Sequence, residues 1–164
     1  ADVALKAATT GHMVLSTLHT NTAVGAITRL SDIGCERFLI GATLHGIIAQ
    51  RLVRMLCPHC RGRRPASAEE RALLQVAADE PCEIGVANGC PRCLGSGYRG
   101  RIGLFEALWL DGELAELVAN DASERELALA AGNYWRLGDD ARDKVLQAVT
   151  TLSEVRPYLH LRRS

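Results

Sequence analysis

The sequence lacks several features that would assign a protein to a class at once. It has no apolar run approaching ~18 residues, so no segment is predicted to span a bilayer, and no signal peptide is predicted at its start. Aromatic residues make up only 4% of the 164 residues and the formal net charge is zero, which argues against a dedicated nucleic-acid binder. Because 48% of the residues are hydrophobic, a disordered chain is excluded and a packed core is expected.

Two common nucleotide-binding motifs are also missing. The chain contains neither a GxxxxGK[ST] phosphate loop nor a GxGxxG turn. Only one or two predicted βα units precede residue 57, and a doubly wound sheet needs several. Since the chain does not begin with methionine either, we expect residue 1 to lie in the middle of a domain.

The zero net charge conceals an asymmetry along the chain. Residues 1–64 hold 8 basic and 3 acidic side chains, whereas residues 65–164 hold 11 basic and 16 acidic ones. Two interpretations stay open. The charges form two solvated faces of opposite sign, or the basic segment faces an anion or an acidic neighbouring subunit.

The first third of the chain has the order helix, strand, helix, which is typical of an α/β sheet. Residues 1–8 are helix-prone, and the branched, apolar run Met13–Leu18 predicts a buried strand. Asn21 or Thr22 is then expected to cap a helix that Gly34 ends.

The rest of the chain predicts further helices, a strand on either side of a cysteine-rich region, and a helical end. A capping box at Thr151–Glu154 opens the last helix, and Pro157 is expected to interrupt or end it. The other predicted elements are a helix over 36–49, strands over 50–56 and 104–110, and helices over 66–78, 111–118, 123–132 and 139–149.

The strongest local signal is a pair of CxxC motifs with 29 residues between them. Each motif lets one tight turn present two thiolates, and two such knuckles supply the tetrahedral ligand set that Zn²⁺ favours. The four cysteines are Cys57, Cys60, Cys90 and Cys93. Since four thiolates leave no open position, a structural zinc site is favoured over a catalytic one. The alternatives are two structural disulfides, unliganded thiols or an iron–sulfur site. Cys35 and Cys82 are expected to be buried free thiols, and His59 a solvated turn residue.

His19 lies at the carboxyl end of the predicted strand, where α/β proteins bind ligands. Two interpretations stay open for it. Its imidazole donates a hydrogen bond to a phosphate, or it caps the next helix or is satisfied by a backbone carbonyl. For the histidines at 12, 45 and 160, position favours a structural role.

Several ordered motifs resemble those of the secretion-superfamily ATPases that drive type II secretion and type IV pilus assembly. The stretch Thr10–Ala23, TGHMVLSTLHTNTA, resembles the family's His box. AITRL, AQRLVR and LCPHC follow in the family's order, and GCPRC, GYRGRIG and FE match the second knuckle and its strand. The tail KVLQAVTTLSEV is also similar. The tetracysteine insert resembles the secretion and assembly branch rather than the retraction motors, which lack it.

This resemblance implies specific roles. His19 matches the His-box residue that lies near the terminal phosphate of the nucleotide and couples its state to subunit movement. Thr17 and Thr20 flank it, and Gln50 and Arg51 match the QRL segment; these four are expected near the nucleotide. The four CxxC cysteines match the zinc ligands. ATP and magnesium would be held by motifs that this sequence does not contain, so the chain alone is predicted to be inactive. Ala148 stands where the family usually has glycine, which predicts a slightly altered turn.

The resemblance also predicts the architecture and setting. We expect an α/β fold: the C-terminal fragment of a RecA-like domain over 1–56, a zinc-binding subdomain over 57–103, and a strand with a helical bundle over 104–164. The expected partners are neighbouring subunits of a homo-hexamer, an inner-membrane platform protein and the cytoplasmic domain of a membrane-anchored protein, with no nucleic acid. The expected location is the bacterial cytoplasm, peripheral to the inner membrane.

Two alternatives belong to other functional classes. The first is a stand-alone, zinc-stapled interaction module without catalytic activity. The second is a chaperone-like zinc module or a nucleic-acid-binding zinc ribbon. CPRCLGSG at 90–97 resembles the CxxCxGxG repeat of Hsp40 co-chaperones, but this resemblance covers one knuckle and not a domain.

Overall fold

A computed structural model describes residues 1–132 and 134–159 of the protein. The strands are β1 (Gly46–Leu56), β2 (Arg61–Pro65), β3 (Glu83–Ala87) and β4 (Tyr98–Trp109). The helices are α1 (Asp2–Thr9), α2 (Ala23–Asp32), α3 (Arg37–Thr43), α4 (Ala68–Leu74), α5 (Gly112–Ala119), α6 (Glu124–Ala130), α7 (Leu137–Leu146) and α8 (Leu152–Leu159). None of these helices has the length and apolar character that a membrane span requires.

The chain forms two compact units that interleave in sequence. The first contains Ala1–Ala49 and Glu106–Trp135, and the second contains Gln50–Phe105 and the chain from Arg136 onward. The boundaries fall inside β1 and β4, which pair with each other. The three-part division expected from the sequence, at residues 56 and 103, remains a prediction.

The first unit packs α2, α3, α5 and α6 around one apolar core. Its helices begin where the sequence offers a hydroxyl or carboxylate cap: the Thr22 hydroxyl accepts from the Gly25 amide at 3.0 Å, and Asp111 accepts from the Leu114 amide at 2.9 Å. Gly34, just after α2, has the left-handed φ of 90° typical of a helix stop. The core side chains are Leu5, Ala23, Val24, Ile27, Cys35, Ile40, Leu108, Leu114, Val118 and Leu127.

The second unit contains the hairpin-like pair β2–β3 and the helices α4, α7 and α8. β2 and β3 are antiparallel, with Arg61 opposite Ala87 and Pro65 opposite Glu83. The buried side chains are Val53, Leu74, Cys82, Ile84, Leu104, Leu137, Ala141, Val145, Leu152, Val155 and Leu159. Helices α5 and α6 belong to the first unit, and α7 and α8, which pack on each other, belong to the second. The helical bundle expected from the sequence stays a prediction.

The buried strand predicted over Met13–Leu18 is wrong. The segment has no regular secondary structure, and Met13 and Leu15 are 85% and 90% exposed. A strand needs a neighbouring strand to bond to, and the described part of the chain places none beside this run. Hydrophobic character alone therefore does not create a strand here.

The helix predicted over residues 36–49 is too long. Helix α3 ends at Thr43, and β1 begins at Gly46. The apolar pair Ile47–Ile48, interpreted as one side of a helix, is β-branched and fits a strand better. β4 likewise begins at Tyr98, six residues before the predicted strand.

Two predictions about the last helix are also wrong. The Glu154 carboxylate does not close a capping box with Thr151; it accepts the Arg54 amide at 3.0 Å and the Arg54 guanidinium at 2.7 Å. Helix α8 continues through Pro157 to Leu159. The helix loses one backbone hydrogen bond at Pro157, and burial of Val155 and Leu159 offsets that loss.

Ala148 adopts the left-handed backbone conformation that normally favours glycine. Its φ is 53° and its side chain is buried. The methyl group lies against Gly85 of β3, where an added Cβ would stand 3.1 Å from it. The alanine thus keeps the glycine-like turn rather than altering it, and its methyl fills space beside a strand glycine.

Helix α4 supplies a local test of electrostatics. The Ser67 hydroxyl accepts from the Glu70 amide, the Glu70 carboxylate accepts from the Ser67 amide, and Arg64 pairs with the same carboxylate at 2.5 Å. The Arg64 guanidinium, followed by the Ser67 amide, lowers the pKa of Glu70 to about 2. We expect Glu70→Gln to reduce the free energy of unfolding by about 1 kcal/mol at pH 7, since the pair is partly exposed.

The pH dependence of this effect has a defined sign. The folded pKa of Glu70 lies below the ordinary value of about 4.3, so its contribution is complete above that value and is lost as the pH falls towards 2. The difference between wild type and Glu70→Gln in urea unfolding should therefore stay constant from pH 8 to pH 5.5. A difference that disappears within this range would contradict the assigned cause.

Candidate metal centre and His-box segment

The β2–β3 ladder brings the two CxxC knuckles together. Its last pair is Arg61 opposite Ala87, so the chain leaves the ladder directly into Cys60 on one side and towards Cys90 on the other. The first knuckle turns through Arg61 N donating to the Cys57 carbonyl at 2.9 Å, and Cys57 N donates to the Gly97 carbonyl at 2.9 Å. These backbone bonds fix one knuckle against the other before any metal is considered.

The four thiol sulfurs form a compact group, and all lie within 4.8 Å of one another. The Sγ–Sγ distances are 4.0 Å for Cys57–Cys90, 3.8 Å for Cys60–Cys93 and 3.8 Å for Cys90–Cys93. A tetrahedral ion with Zn–S bonds of about 2.3 Å requires sulfurs about 3.8 Å apart. The four cysteines could therefore hold a metal ion such as zinc.

The same distances count against the alternative states of the cysteines. All four are free thiols, and their Sγ–Sγ separations are roughly twice a disulfide bond of about 2.05 Å. An iron–sulfur cluster would place several iron and sulfide atoms between the thiolates and would need a wider cage. A single ion fits the spacing best.

Two backbone amides stabilise the thiolate form of one cysteine of the cluster, Cys93. Burial acts to raise the pKa of the Cys93 thiol, but the amides of Cys90 and Gly97, each 3.2 Å from its sulfur, overcome this and lower the pKa to about 6. Burial, followed by the neighbouring thiols, raises the pKa of Cys60 to about 12. A bound cation would favour the thiolate form throughout the group. Gly97 has a φ of 75°, which lets its amide reach the sulfur.

His59 lies beside this centre but is not a member of the cluster. Its ring nitrogens lie 3.1 and 3.2 Å from a guanidinium nitrogen of Arg92, on the exposed surface of the knuckles. This agrees with its prediction as a turn residue. Cys35 and Cys82 are buried free thiols, as predicted.

The His-box segment, residues 17–21, lies in the first unit immediately before α2. The side chains of Thr17 and His19 are exposed, and the Thr20 hydroxyl donates to the Thr22 carbonyl at 3.2 Å. Thr22 caps α2, so His19 is not the cap. Of the structural alternatives for His19, helix capping is therefore excluded.

Gln50 and Arg51 lie next to each other on β1 in the second unit. Gln50 is exposed, whereas Arg51 is half-buried with its guanidinium donating to the Gln50 carbonyl at 2.9 Å. Successive residues of a strand point to opposite faces, so these two side chains diverge. Their expected placement near a nucleotide, with Thr17, His19 and Thr20, stays a prediction. His160 lies outside the described residues.

Sequence reasoning missed the role of one buried carboxylate. Glu106 of β4 is 4% exposed, and its Oε1 accepts from the Ala23 amide at 2.7 Å and from the Tyr134 hydroxyl at 3.4 Å. The signal in the sequence is a lone acidic residue within the apolar run LFEALWL. A charged group on the buried face of a strand requires partners, and one partner here is the first amide of α2.

Comparison with known proteins now adds to this geometry. The profile of the Type II/IV secretion system protein family matches residues 1–157. The chain belongs to this family. Among curated members, Type II secretion system ATPase E of Vibrio cholerae and Type II secretion system protein E of Pseudomonas aeruginosa are each 47% identical to it over 156 residues. Each alignment covers 94% of this chain and 31% of the relative.

A type IV pilus relative matches a similar part of this family member. Type IV pilus assembly ATPase TfpB of Acinetobacter baylyi is 42% identical over 161 residues, covering 94% of this chain and 27% of that protein. The chain thus spans less than a third of the length of these curated relatives. The resemblance to secretion and pilus ATPases is confirmed at the level of the family.

The fold has a counterpart among solved structures. The pilus retraction motor PilT, determined with bound ADP, aligns with a TM-score of 0.58 and 22% identity, covering 95% of this chain and 35% of that one. At this identity the likeness concerns the fold alone, and it supports the α/β class expected for this family member.

Proposed function

We propose that this chain is the C-terminal part of a motor ATPase that powers type II protein secretion or type IV pilus assembly. The observation that carries the proposal is the family match over residues 1–157, together with relatives that are named as secretion and pilus ATPases. In the complete protein, a RecA-like domain would hold ATP and magnesium through motifs that lie outside this sequence. This chain would contribute the end of that domain, the cysteine-rich region and the terminal helices.

Within this motor, His19 would contact the terminal phosphate and report whether it is present. An exposed imidazole on an irregular segment can change hydrogen-bond partners when the phosphate leaves. Thr17 and Thr20, which flank His19 in the sequence, would lie near the nucleotide, as would Gln50 and Arg51. Phosphoryl transfer needs a phosphate cradle, a metal ion and a positioned water, and these five residues supply none of them.

The first test compares ATP hydrolysis by this chain with hydrolysis by the complete protein. We expect no turnover above background for the chain alone, and turnovers in the ordinary range for the complete protein, because the phosphate loop is required. Malachite-green detection of released phosphate measures both. Hydrolysis by residues 1–164 alone at an ordinary enzymatic rate would refute the proposal that the catalytic motifs lie outside this sequence.

The cysteine cluster would hold one structural zinc ion. Cys57, Cys60, Cys90 and Cys93 provide a closed, four-thiolate site whose spacing suits that ion. The metal would hold the two knuckles in place and, with no open coordination position, would take no part in catalysis.

We further propose that the knuckle region docks a membrane-associated partner such as the inner-membrane platform protein. Segments 57–65 and 88–101 contain six arginines and no carboxylate. Arg61 donates to the Ala148 carbonyl and Arg64 pairs with Glu70, whereas the exposed Arg99 and Arg101 form no salt bridge with any described residue. An acidic surface on the partner would complement these two side chains.

A pull-down with the cytoplasmic domain of the platform protein, combined with an ATP hydrolysis assay, distinguishes the docking role of the knuckle region from the motor activity of the complete protein. Arg99→Glu with Arg101→Glu should abolish capture while zinc content and ATP hydrolysis remain. Capture that is unchanged by this double reversal would refute docking through these two charges. In the complete protein we propose a homo-hexamer in the bacterial cytoplasm, held at the inner membrane through such contacts.

A further inference from the structure

The buried carboxylate of Glu106 occupies the amino end of α2. Ala23 is the first residue of that helix, and its amide is one of the four that have no partner within the helix. The partial positive charge at a helix N-terminus stabilises an anion there. Because Glu106 already fills this position, the start of α2 is satisfied from within the protein.

Two independent contacts therefore fix where α2 begins. The Thr22 hydroxyl accepts the Gly25 amide at 3.0 Å, and the Glu106 carboxylate accepts the Ala23 amide at 2.7 Å. The Tyr134 hydroxyl donates to the same Glu106 carboxylate at 3.4 Å. The chain just before this anchored point is the His-box segment, with His19 only four residues from Ala23.

Strand β4, which carries Glu106, makes a second such bond at the adjacent residue, Phe105. Within the second unit, the Phe105 amide donates to the Asp140 carboxylate at 2.8 Å. Within the first unit, the Glu106 carboxylate accepts from the Ala23 amide of α2. Strand β4 runs without interruption through both residues. Phe105 and Glu106, adjacent residues of one strand, thus each take part in a bond between a carboxylate and a backbone amide, and only the Glu106 bond leads to the His-box segment.

We propose that Glu106 is a positioning residue for ATP hydrolysis. It holds the first turn of α2 on β4 and thereby holds the His-box segment where His19 can reach the phosphate. The inference rests on the proposed function of His19. It also implies that the N-terminus of α2 does not itself bind the nucleotide phosphate.

The test is a double-mutant cycle in the complete protein, with steady-state ATP hydrolysis as the readout. Glu106→Ala should lower kcat about tenfold or more with little change in KM for ATP, because the step affected lies after binding. Glu106→Gln keeps an oxygen acceptor for the Ala23 amide and should retain activity within about threefold. In the His19→Ala background, Glu106→Ala should lower kcat by less than about a further twofold. The two effects overlap because Glu106 acts only by positioning His19.

Asp140→Ala is the matched control, because it removes the acceptor of the neighbouring Phe105 amide as Glu106→Ala removes that of the Ala23 amide. Its effect on kcat should multiply independently with that of His19→Ala. If Glu106→Ala does not fold, Glu106→Asp takes its place, since it retracts the acceptor from Ala23 and keeps the charge.

The outcomes distinguish this inference from the function on which it rests. Equal losses from Glu106→Ala with and without His19, while His19→Ala itself impairs kcat, would overturn the positioning role alone. An unchanged kcat in His19→Ala would refute the proposed role of His19. A loss confined to KM would also overturn the inference.

Discussion

Removing the proposed zinc ion from the cysteine cluster should unfold the second unit of the protein and leave the first unit folded. The binding free energy of a structural zinc ion is on the order of 10 kcal/mol. This is as large as the whole stability of a typical domain, about 5–15 kcal/mol. The knuckles hold the second unit at several points, including the bond from Cys57 N to the Gly97 carbonyl and from Arg61 to the Ala148 carbonyl.

Cys57→Ser is the sharpest variant, because Cys57 is fully buried and no solvent can compensate for the lost ligand. Native-state hydrogen exchange reports the result by residue. The amides of Ile84 and Val145 should lose protection, whereas those of Val118 and Ile27 should keep it. A chelator should reproduce the pattern on the wild-type chain, and added zinc should reverse it.

Cys82→Ala provides the matched control. Cys82 is a buried cysteine of the same unit that lies outside the cluster, so its replacement should cost only a small cavity, about 1 kcal/mol. Equal losses of protection in Cys57→Ser and Cys82→Ala would mean that the cluster has no special role. Unchanged protection after complete zinc removal would mean the same.

Gly97→Ala should be among the most destabilising single substitutions, and Gly95→Ala among the mildest in the knuckles. Both glycines have left-handed φ values, 75° and 77°. A Cβ on Gly97 would stand 2.6 Å from the Ala87 Cβ and 2.9 Å from its backbone, whereas a Cβ on Gly95 would meet nothing within 4 Å. The conformational cost, about 1–2 kcal/mol, is therefore common to both.

The additional cost at Gly97 comes from displacement of backbone, which adds about 1–3 kcal/mol. The shift would also move the Gly97 amide from the Cys93 sulfur, now 3.2 Å away. We expect Gly97→Ala to lose about 2–5 kcal/mol in urea unfolding and to weaken zinc binding, while Gly95→Ala loses about 1 kcal/mol and binds zinc normally. Equal effects of the two substitutions would show that close packing against Ala87 is unimportant.

The sequence predicted best those features that depend on local chemistry. Thr22 caps a helix, as one of the two expected candidates, because a short polar side chain satisfies an amide a few residues away. The cysteine cluster was predictable because the CxxC spacing fixes each pair of thiols. That the pairs converge follows from the β2–β3 register, which ends beside both.

The features that failed depend on contacts distant in sequence. Met13–Leu18 has strand composition but no neighbouring strand among the described residues. Glu154 looked like a capping residue and instead pairs with Arg54, 100 positions away. Glu106 matched a family motif, but only the structure shows that its carboxylate reaches the start of α2.

The most direct test of the account is ATP hydrolysis by the complete protein that carries His19→Ala, measured at saturating ATP together with equilibrium nucleotide binding. We predict that the variant binds ATP with nearly wild-type affinity and assembles normally. Its kcat should fall at least about tenfold, because the proposed contact of His19 is with the terminal phosphate and does not contribute to ATP affinity. A variant that hydrolyses ATP at the wild-type rate would contradict the account.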